Sequence, residues 1–329
     1  MKRTERNTYQ LQLLATLLLL VTHVLFSACS SDDTNTTPNA ANDSEIRFDV
    51  GVWNMMEGTR ATTFDGGTLT SGSFICTAYN ESTATENTIV NIIDNTVTWN
   101  GAGWDFEGGK RYWPNEALTL DFFAYMPTTI PSYITNTSDE TGILTYEARN
   151  PQFKCNSLPM TYNRESPEAG QGTGLQEFVY ALVEGEYKGK SPSGIVLSFQ
   201  HPFARIKLQL SSAQEDIHIN SITFKSIKNN GFYSHISGWT PEGETINFVA
   251  TLNDDYEADD AIGTYIMVPQ DWAGEIEISA DWKVWDVTKT NTVSATVPTT
   301  WAAGHSYTYT LTITETDLIV DTSKYTEQW

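Results

Sequence analysis

Apolar residues recur at every second position along most of this chain, and almost nowhere at the spacing of an amphipathic helix. Ile46, Phe48, Val50 and Val52 alternate with Arg47, Asp49 and Gly51. The same period appears in Ile195, Leu197 and Phe199, in Ile206, Leu208 and Leu210, and in Ile217 and Ile219. After an offset it resumes with Ile222 and Phe224, then with Ile246 and Phe248. Near the end, Tyr307, Tyr309, Leu311 and Ile313 alternate with Ser306, Thr308, Thr310 and Thr312. Successive side chains of a strand point to opposite faces, so each run predicts a strand with one buried face. The runs are short and bounded by Gly, Pro, Asn or Asp, which predicts an all-β chain built as sandwiches or barrels.

The punctuation between runs supports that reading. Asn229-Asn230-Gly231 and Pro241-Glu242-Gly243 carry the residues that tolerate positive φ or preset a turn. Asn253 to Ala261 reads as an acidic loop. Tyr187 to Gly194 is polar, holds two glycines and a proline, and sits near the middle. It is the best linker candidate and places a domain boundary at 190/191, giving an N-terminal sandwich over 44–190 and a C-terminal one over 191–329.

The first residues set the compartment. Lys2, Arg3 and Arg6 precede an apolar run from Leu11 to Phe26, and the small Ser27 and Ala28 precede Cys29. This is the layout of a secretory signal over 1–28, too short and without the flanking charges of a membrane anchor. Phe26-Ser27-Ala28-Cys29 resembles a bacterial lipobox, with Phe26 where Leu is usual. It implies acylation at Cys29, where several chains at ~0.8 kcal/mol per buried methylene hold a protein on a membrane. Ser30-Ser31-Asp32-Asp33 resembles the acidic surface-export signal of some Gram-negative lipoproteins, and 29–43 as a whole reads as a polar tether. The expected location is the outer membrane, facing outward.

Net charge is −22 for the whole chain; the leader holds Lys2, Arg3 and Arg6 against Glu5, so the remainder stands near −24. That excludes nucleic acid as a partner, since its binders need basic patches. Only Cys76 and Cys155 remain beyond Cys29, so burial rather than a disulfide framework must hold the fold, and the two are either one disulfide or two thiols.

Signs of catalysis or metal binding are weak. His201, His218, His235 and His305 lack metal-ligand spacing, and no G-x-S-x-G elbow surrounds a serine. His201, before Pro202, reads as a corner residue. Gly170-Gln171-Gly172-Thr173-Gly174 lacks the strand, helix and Lys of a phosphate loop. Asp254, Asp255, Glu257, Asp259 and Asp260 lack the spacing of a calcium loop. No carboxylate pair is set out as in a glycosidase. The expectation is no enzyme, no cofactor and no metal.

Several segments, taken in order, resemble the fimbrillin family of type V pilus lipoproteins. They are Ile46 to Val50, Thr59-Arg60-Ala61-Thr62, Tyr112-Trp113-Pro114, Leu120 to Tyr125, Leu197 to His201 through Ala204, Trp301 to Gly304, and Tyr307 to Thr312. The resemblance implies two tandem transthyretin-like β-sandwich domains, and assembly into a fimbrium with other pilus subunits by strand exchange. It also implies a protease cut after an arginine, which in this chain is the Arg60–Ala61 bond.

The residues give that scheme a physical form. Small polar residues around one arginine make an accessible loop, the favoured place for nicking. Loss of Ile46, Phe48, Val50 and Val52 strips a strand from the first sandwich and opens an apolar groove. The C-terminal segment, with Leu311, Ile313, Leu318 and Val320 as plugs, is the expected donor, by β-augmentation. A head-to-tail contact of this kind propagates into a filament. The chain reads as a structural or adhesive subunit, or as a tip or anchor. The alternative is a non-catalytic surface lipoprotein that binds glycan or host protein through loop aromatics such as Trp239 and Trp272. The plainest alternative for each strand is a permanent place in its sheet.

Overall fold

The computed structural model describes residues 45–52, 67–68, 72–80, 91–113, 119–135, 145–147, 150–158, 177–191, 193–212, 215–284, 287–323 and 326–328. The leader, Cys29, the tether, Arg60 and Ala61 lie outside the described residues.

The described chain contains no helix. Its first half holds β1 (Phe48–Val52), β2 (Gly67–Thr68), β3 (Ser73–Asn80), β4 (Asn91–Trp99), β5 (Trp104–Phe106), β6 (Thr119–Met126), β7 (Ile134–Thr135), β8 (Thr145–Glu147), β9 (Asn150–Cys155), β10 (Val179–Tyr187) and β11 (Ile195–Phe199). The second half holds β12 (Ala204–Leu210), β13 (Ile217–Ile227), β14 (Asn230–Ser234), β15 (Gly238–Glu242), β16 (Ile246–Tyr256), β17 (Ala261–Met267), β18 (Asp271–Val284), β19 (Val287–Thr300), β20 (His305–Ile313), β21 (Leu318–Asp321) and β22 (Thr326–Gln328). The all-β expectation is met. The period-two runs become strands because alternate residues reach a core: β12 buries Ile206, Leu208 and Leu210, and β13 buries Ile217, Ile219, Ile222 and Phe224.

Two buried clusters organise these strands. In the first, the sheet β11-β1-β2 lies over the sheet β10-β6-β3-β4-β5, with aromatic side chains between them. In the second, β17-β12-β20-β21 lies over β16-β13-β18-β19. One pairing recurs in both clusters. β1 runs parallel to β11, and β12 runs parallel to β20, so in each cluster an early strand lies beside a late one.

A fifth sheet, β15-β14-β9-β7 with β8 beside β9, joins the halves. Its hairpin β14–β15 comes from the second half but pairs with β9 of the first, from Gly231↔Cys155 to Ser234↔Gln152. Trp239 on this hairpin packs against Phe203, Tyr233 and Phe153, with centroids 5.1, 5.4 and 5.8 Å away. Its indole N–H donates to the Pro202 carbonyl.

Tyr187 to Gly194 forms a turn between β10 and β11, closed by Lys190 N donating to Tyr187 O at 3.0 Å. Both flanking strands feed the first cluster, the second cluster draws on residues from Ala204 onward, and Tyr233 and Val268 return to the first. The acidic stretch is also shorter as a loop than its composition suggested. Asp254 and Asp255 belong to β16, where they pair with Ile219 and His218, and only 257–260 turns.

Candidate functional site

The front strand enters the sheet through a small polar clamp. Ile46 N donates to Arg111 O at 2.9 Å. The Glu45 carboxylate receives Lys110 at 2.8 Å and Arg47 at 2.9 Å. The hydrogen bond from Lys110 holds that carboxyl below its ordinary pKa.

Beyond the clamp, the alternation sorts side chains by face. Ile46, Phe48 and Val50 are buried, while Arg47 and Asp49 are exposed. Phe48 is the wedge. Its ring meets Phe106 at 5.4 Å, Phe74 at 5.7 Å and Phe122 at 5.9 Å, all edge-to-face. Such pairs contribute about 0.5–1.5 kcal/mol each beyond the area they bury.

The backbone of β1 is held mainly from one side. Five residues pair with β11, from Phe48↔Ile195 to Val52↔Phe199, and only Gly51 and Val52 pair with the two-residue β2. The dependence is mutual. Without β1, β11 has no sheet neighbour among the described residues and keeps only the Tyr180↔Gln200 bridge to β10.

Gly194 makes this pairing possible. Its φ is +132°, and a Cβ there would lie 3.1 Å from the Phe48 carbonyl carbon and 3.2 Å from Asp49 N. Directly after it, Ile195 N donates to Arg47 O at 2.7 Å. In the sequence Gly194 reads only as a linker glycine. A Ser-Gly step just before an apolar strand was the available hint, and it does not tell which backbone will pass close by.

The expected C-terminal plugs fall into two settings. Leu311 and Ile313 lie in β20, between β12 on one side and β21 and β22 on the other. Both are fully buried in the second cluster. Leu318 and Val320 lie in β21 at the sheet margin, with Leu318 buried, Val320 half-buried and Ile319 between them exposed. β20 is therefore part of its own core, and β21–β22 is the outlying piece.

Of the aromatics proposed for ligand binding, Trp272 is a core residue and Trp239 is half-buried against the first cluster. Trp272 is 2% exposed, stacks on Trp301 at 4.8 Å, and donates its N–H to Lys225 O at 2.9 Å. Trp239 is walled in by three rings. Trp272 has no free face for a sugar, while Trp239 is half-buried at the edge of the first cluster.

Of the histidines, His201 is buried with Nδ1 2.8 Å from a Glu177 oxygen at the joint between β11 and β12. His218 Nδ1 lies 2.6 Å from Asp255 on the outer face of β13, and that hydrogen bond raises its pKa. A third constellation was not visible in sequence: Tyr180 Oη lies 2.5 Å from Tyr233 Oη and 3.0 Å from His235 Nδ1, linking β10 to the β14–β15 hairpin. Cys76 and Cys155 are both buried free thiols. Among the described residues, no three His, Cys, Asp or Glu side chains are arranged to hold a metal ion.

A sequence profile described as Fimbrillin-like matches residues 59–329. The chain belongs to this family. No curated protein matches this fimbrillin-like chain by sequence. Among solved structures, a fimbrial protein from Bacteroides vulgatus superposes with a TM-score of 0.57 at 13% identity, covering 87% of this chain and 99% of its own. A candidate cell adhesion protein from Bacteroides uniformis superposes with a TM-score of 0.52 at 14% identity, covering 87% and 98%. At such identities the likeness is one of fold. The profile begins at Thr59, so β1 stands just ahead of the matched region.

Proposed function

We propose that this fimbrillin-like protein is a structural or adhesive subunit, or a tip or anchor accessory, of a type V-like pilus assembled by strand exchange. The family and the fold neighbours support the broader role in pili and adhesion at the cell surface. The observation that carries the finer reading is the setting of β1. It is the first described strand, it precedes the segment containing Arg60, and it fills a groove walled by Phe74, Phe106 and Phe122.

In this scheme, cleavage at Arg60–Ala61 releases Ile46, Phe48, Val50 and Val52 together. The emptied groove then accepts a strand from the next subunit, with the backbone of β11 as template. The β21–β22 segment is the better donor, because it leaves β20 in place. Leu318 and Val320 act as its plugs, and Leu311 and Ile313 stay behind as the floor from which it departs. The molecule comprises two sandwiches behind a lipidated Cys29 and a tether, with the joint at Phe203–Ala204. Its role is not enzymatic.

The test is N-terminal sequencing of protein extracted from the cell surface, beside an Arg60→Ala variant. The expected result is an N-terminus at Ala61 in wild-type multimers that resist mild detergent, and acylated Cys29 without multimers in the variant. Multimers that persist in Arg60→Ala at wild-type levels overturn the processing step.

A further inference from the structure

The segment that holds β21 repeats, position by position, the character of the strand that opens the described chain. Glu45-Ile46-Arg47-Phe48-Asp49-Val50-Gly51 runs acid, apolar, variable, apolar, acid, β-branched, small. Asp317-Leu318-Ile319-Val320-Asp321-Thr322-Ser323 follows the same order. The faces agree as well. Ile46 and Phe48 are buried while Arg47 and Asp49 are exposed; Leu318 is buried and Val320 half-buried while Ile319 and Asp321 are exposed. Comparable acid-led runs, Asp216-Ile217-His218-Ile219 and Glu275-Ile276-Glu277-Ile278, belong to β13 and β18, each with a strand on both sides. β21 instead stands at the end of its sheet, joined to β20 by four residue pairs.

The entrance to the β1 groove is built for an acid. The Lys110 ammonium lies 2.8 Å from the Glu45 carboxylate, whose side chain is 9% exposed. The adjoining Arg111 carbonyl takes the Ile46 N–H at 2.9 Å. The segment that offers both groups is held by bonds that do not involve β1: Gly109 N donates to Phe106 O at 3.0 Å, and Arg111 Nη1 donates to Gly109 O at 2.9 Å. Arg47, the other cation on Glu45, lies on the front segment itself and departs with it. A groove that has lost its front strand therefore presents one cation and one backbone acceptor at the entrance, and the rings of Phe74, Phe106 and Phe122 further in.

We infer that Asp317 of a second copy takes the place of Glu45 on Lys110 and thereby sets the register of the exchanged strand. The inference rests on the exchange reading above and adds the residue that aligns it. Leu318 enters the Ile46 slot with its N–H on Arg111 O, and Val320 enters the Phe48 slot. Asp321 replaces Asp49 on the outer face, beside Val196, the β11 residue that pairs with Asp49. Thr322 falls in the fully buried Val50 slot, with valine's branching at Cβ and a hydroxyl in addition. A slip of two residues keeps the apolar face inward but moves Asp317 off Lys110, so charge chooses among registers that the alternation leaves equal. In its own molecule Asp317 is exposed, and its carboxylate accepts the N–H of its neighbour Leu318 at 3.0 Å.

The experiment uses multimers extracted from cells that express full-length variants. With Val196→Cys and Asp321→Cys in one chain, mild oxidation should link the multimers into a ladder that survives boiling without reductant. Ile319→Cys or Ser323→Cys in place of Asp321→Cys should give little, because two residues along a strand is about 6.6 Å and carries the Cα pair beyond the roughly 7 Å that a disulfide spans. All four positions are exposed, so none of these changes touches a core. Asp317→Lys should cut the multimers at least about fivefold, and adding Lys110→Glu should restore them. A ladder strongest from Ile319→Cys or Ser323→Cys overturns the register. So do multimers that give no ladder from any of the three, multimers indifferent to Asp317→Lys, or a loss that Lys110→Glu leaves uncorrected. Wild-type chains that are never cut at Arg60 or never multimerise overturn the exchange reading itself, and the register falls with it.

Discussion

Removal of residues 44–60 is the perturbation that most directly weighs the front strand. Ile46, Phe48 and Val50 are 3%, 8% and 0% exposed. Each such side chain contributes about 1.5–3 kcal/mol by leaving water. Together they account for roughly 5–9 kcal/mol, before the edge-to-face contacts of Phe48 and the unpaired backbone of β11 are considered. Domains are stable by only about 5–15 kcal/mol, so the shortened first sandwich should be close to unfolding when its groove is empty. The assay compares thermal melts of lipid-free chains beginning at Ser30 and at Ala61. The shorter chain should lose at least about 10 °C in its first transition. A peptide spanning 44–53 should restore most of the loss, and the same peptide with Phe48→Asp should not. If the two chains melt within about 3 °C of each other and ignore the peptide, the groove is not held by β1 and the exchange scheme loses its driving force.

Gly194→Ala should destabilise by about 1–3 kcal/mol, because its positive φ disfavours a side chain and a Cβ would crowd the Phe48 backbone at 3.1 Å, and a melt of the full chain reads this directly. Gly274→Ala should cost about 2–4 kcal/mol in urea unfolding, since its Cβ would fall 2.1 Å from Trp272 Nε1 and 2.2 Å from Lys225 O and break the hydrogen bond between them. Burial pushes the Cys155 thiol up to about 12, so it should stay unreactive towards a thiol reagent at about pH 8 until the protein is unfolded. NMR titration of His218 should give a midpoint above 6.5, and Asp255→Asn should bring it down. Because the folded value is raised, the pair stabilises fully below the ordinary histidine value and ceases to do so as pH climbs through the raised one. The effect should be small, since Asp255 faces solvent.

The strands were legible because burial on one face leaves a mark at every second residue. Ile206, Leu208 and Leu210 could be read this way without knowing their neighbours. Phe48 could likewise be assigned to a buried face, but not to the three rings it meets, because β3, β5 and β6 arrive from distant sequence. Partners stay hidden for the same reason. Nothing in Tyr307 to Ile313 reveals that the strand lies in the interior of its sheet, paired in parallel with β12. Trp239 and Trp272 illustrate the converse, since an aromatic beside a turn signal looks exposed until a neighbouring carbonyl takes its N–H. Tyr187 to Gly194 has a linker's composition and a turn's function, because glycine and proline serve both.

The hairpin β14–β15 has a mechanical consequence. In the proposed assembly, tension entering at the first buried cluster must pass to the second. The peptide link at 200–204 would hinge if it acted alone. The four residue pairs between β9 and β14 lie alongside it, with Trp239 lodged among Phe153, Phe203 and Tyr233. A pull that separates the two bodies must therefore shear a ladder and extract an indole at once, so each molecule should stretch as one stiff link rather than as two beads on a string.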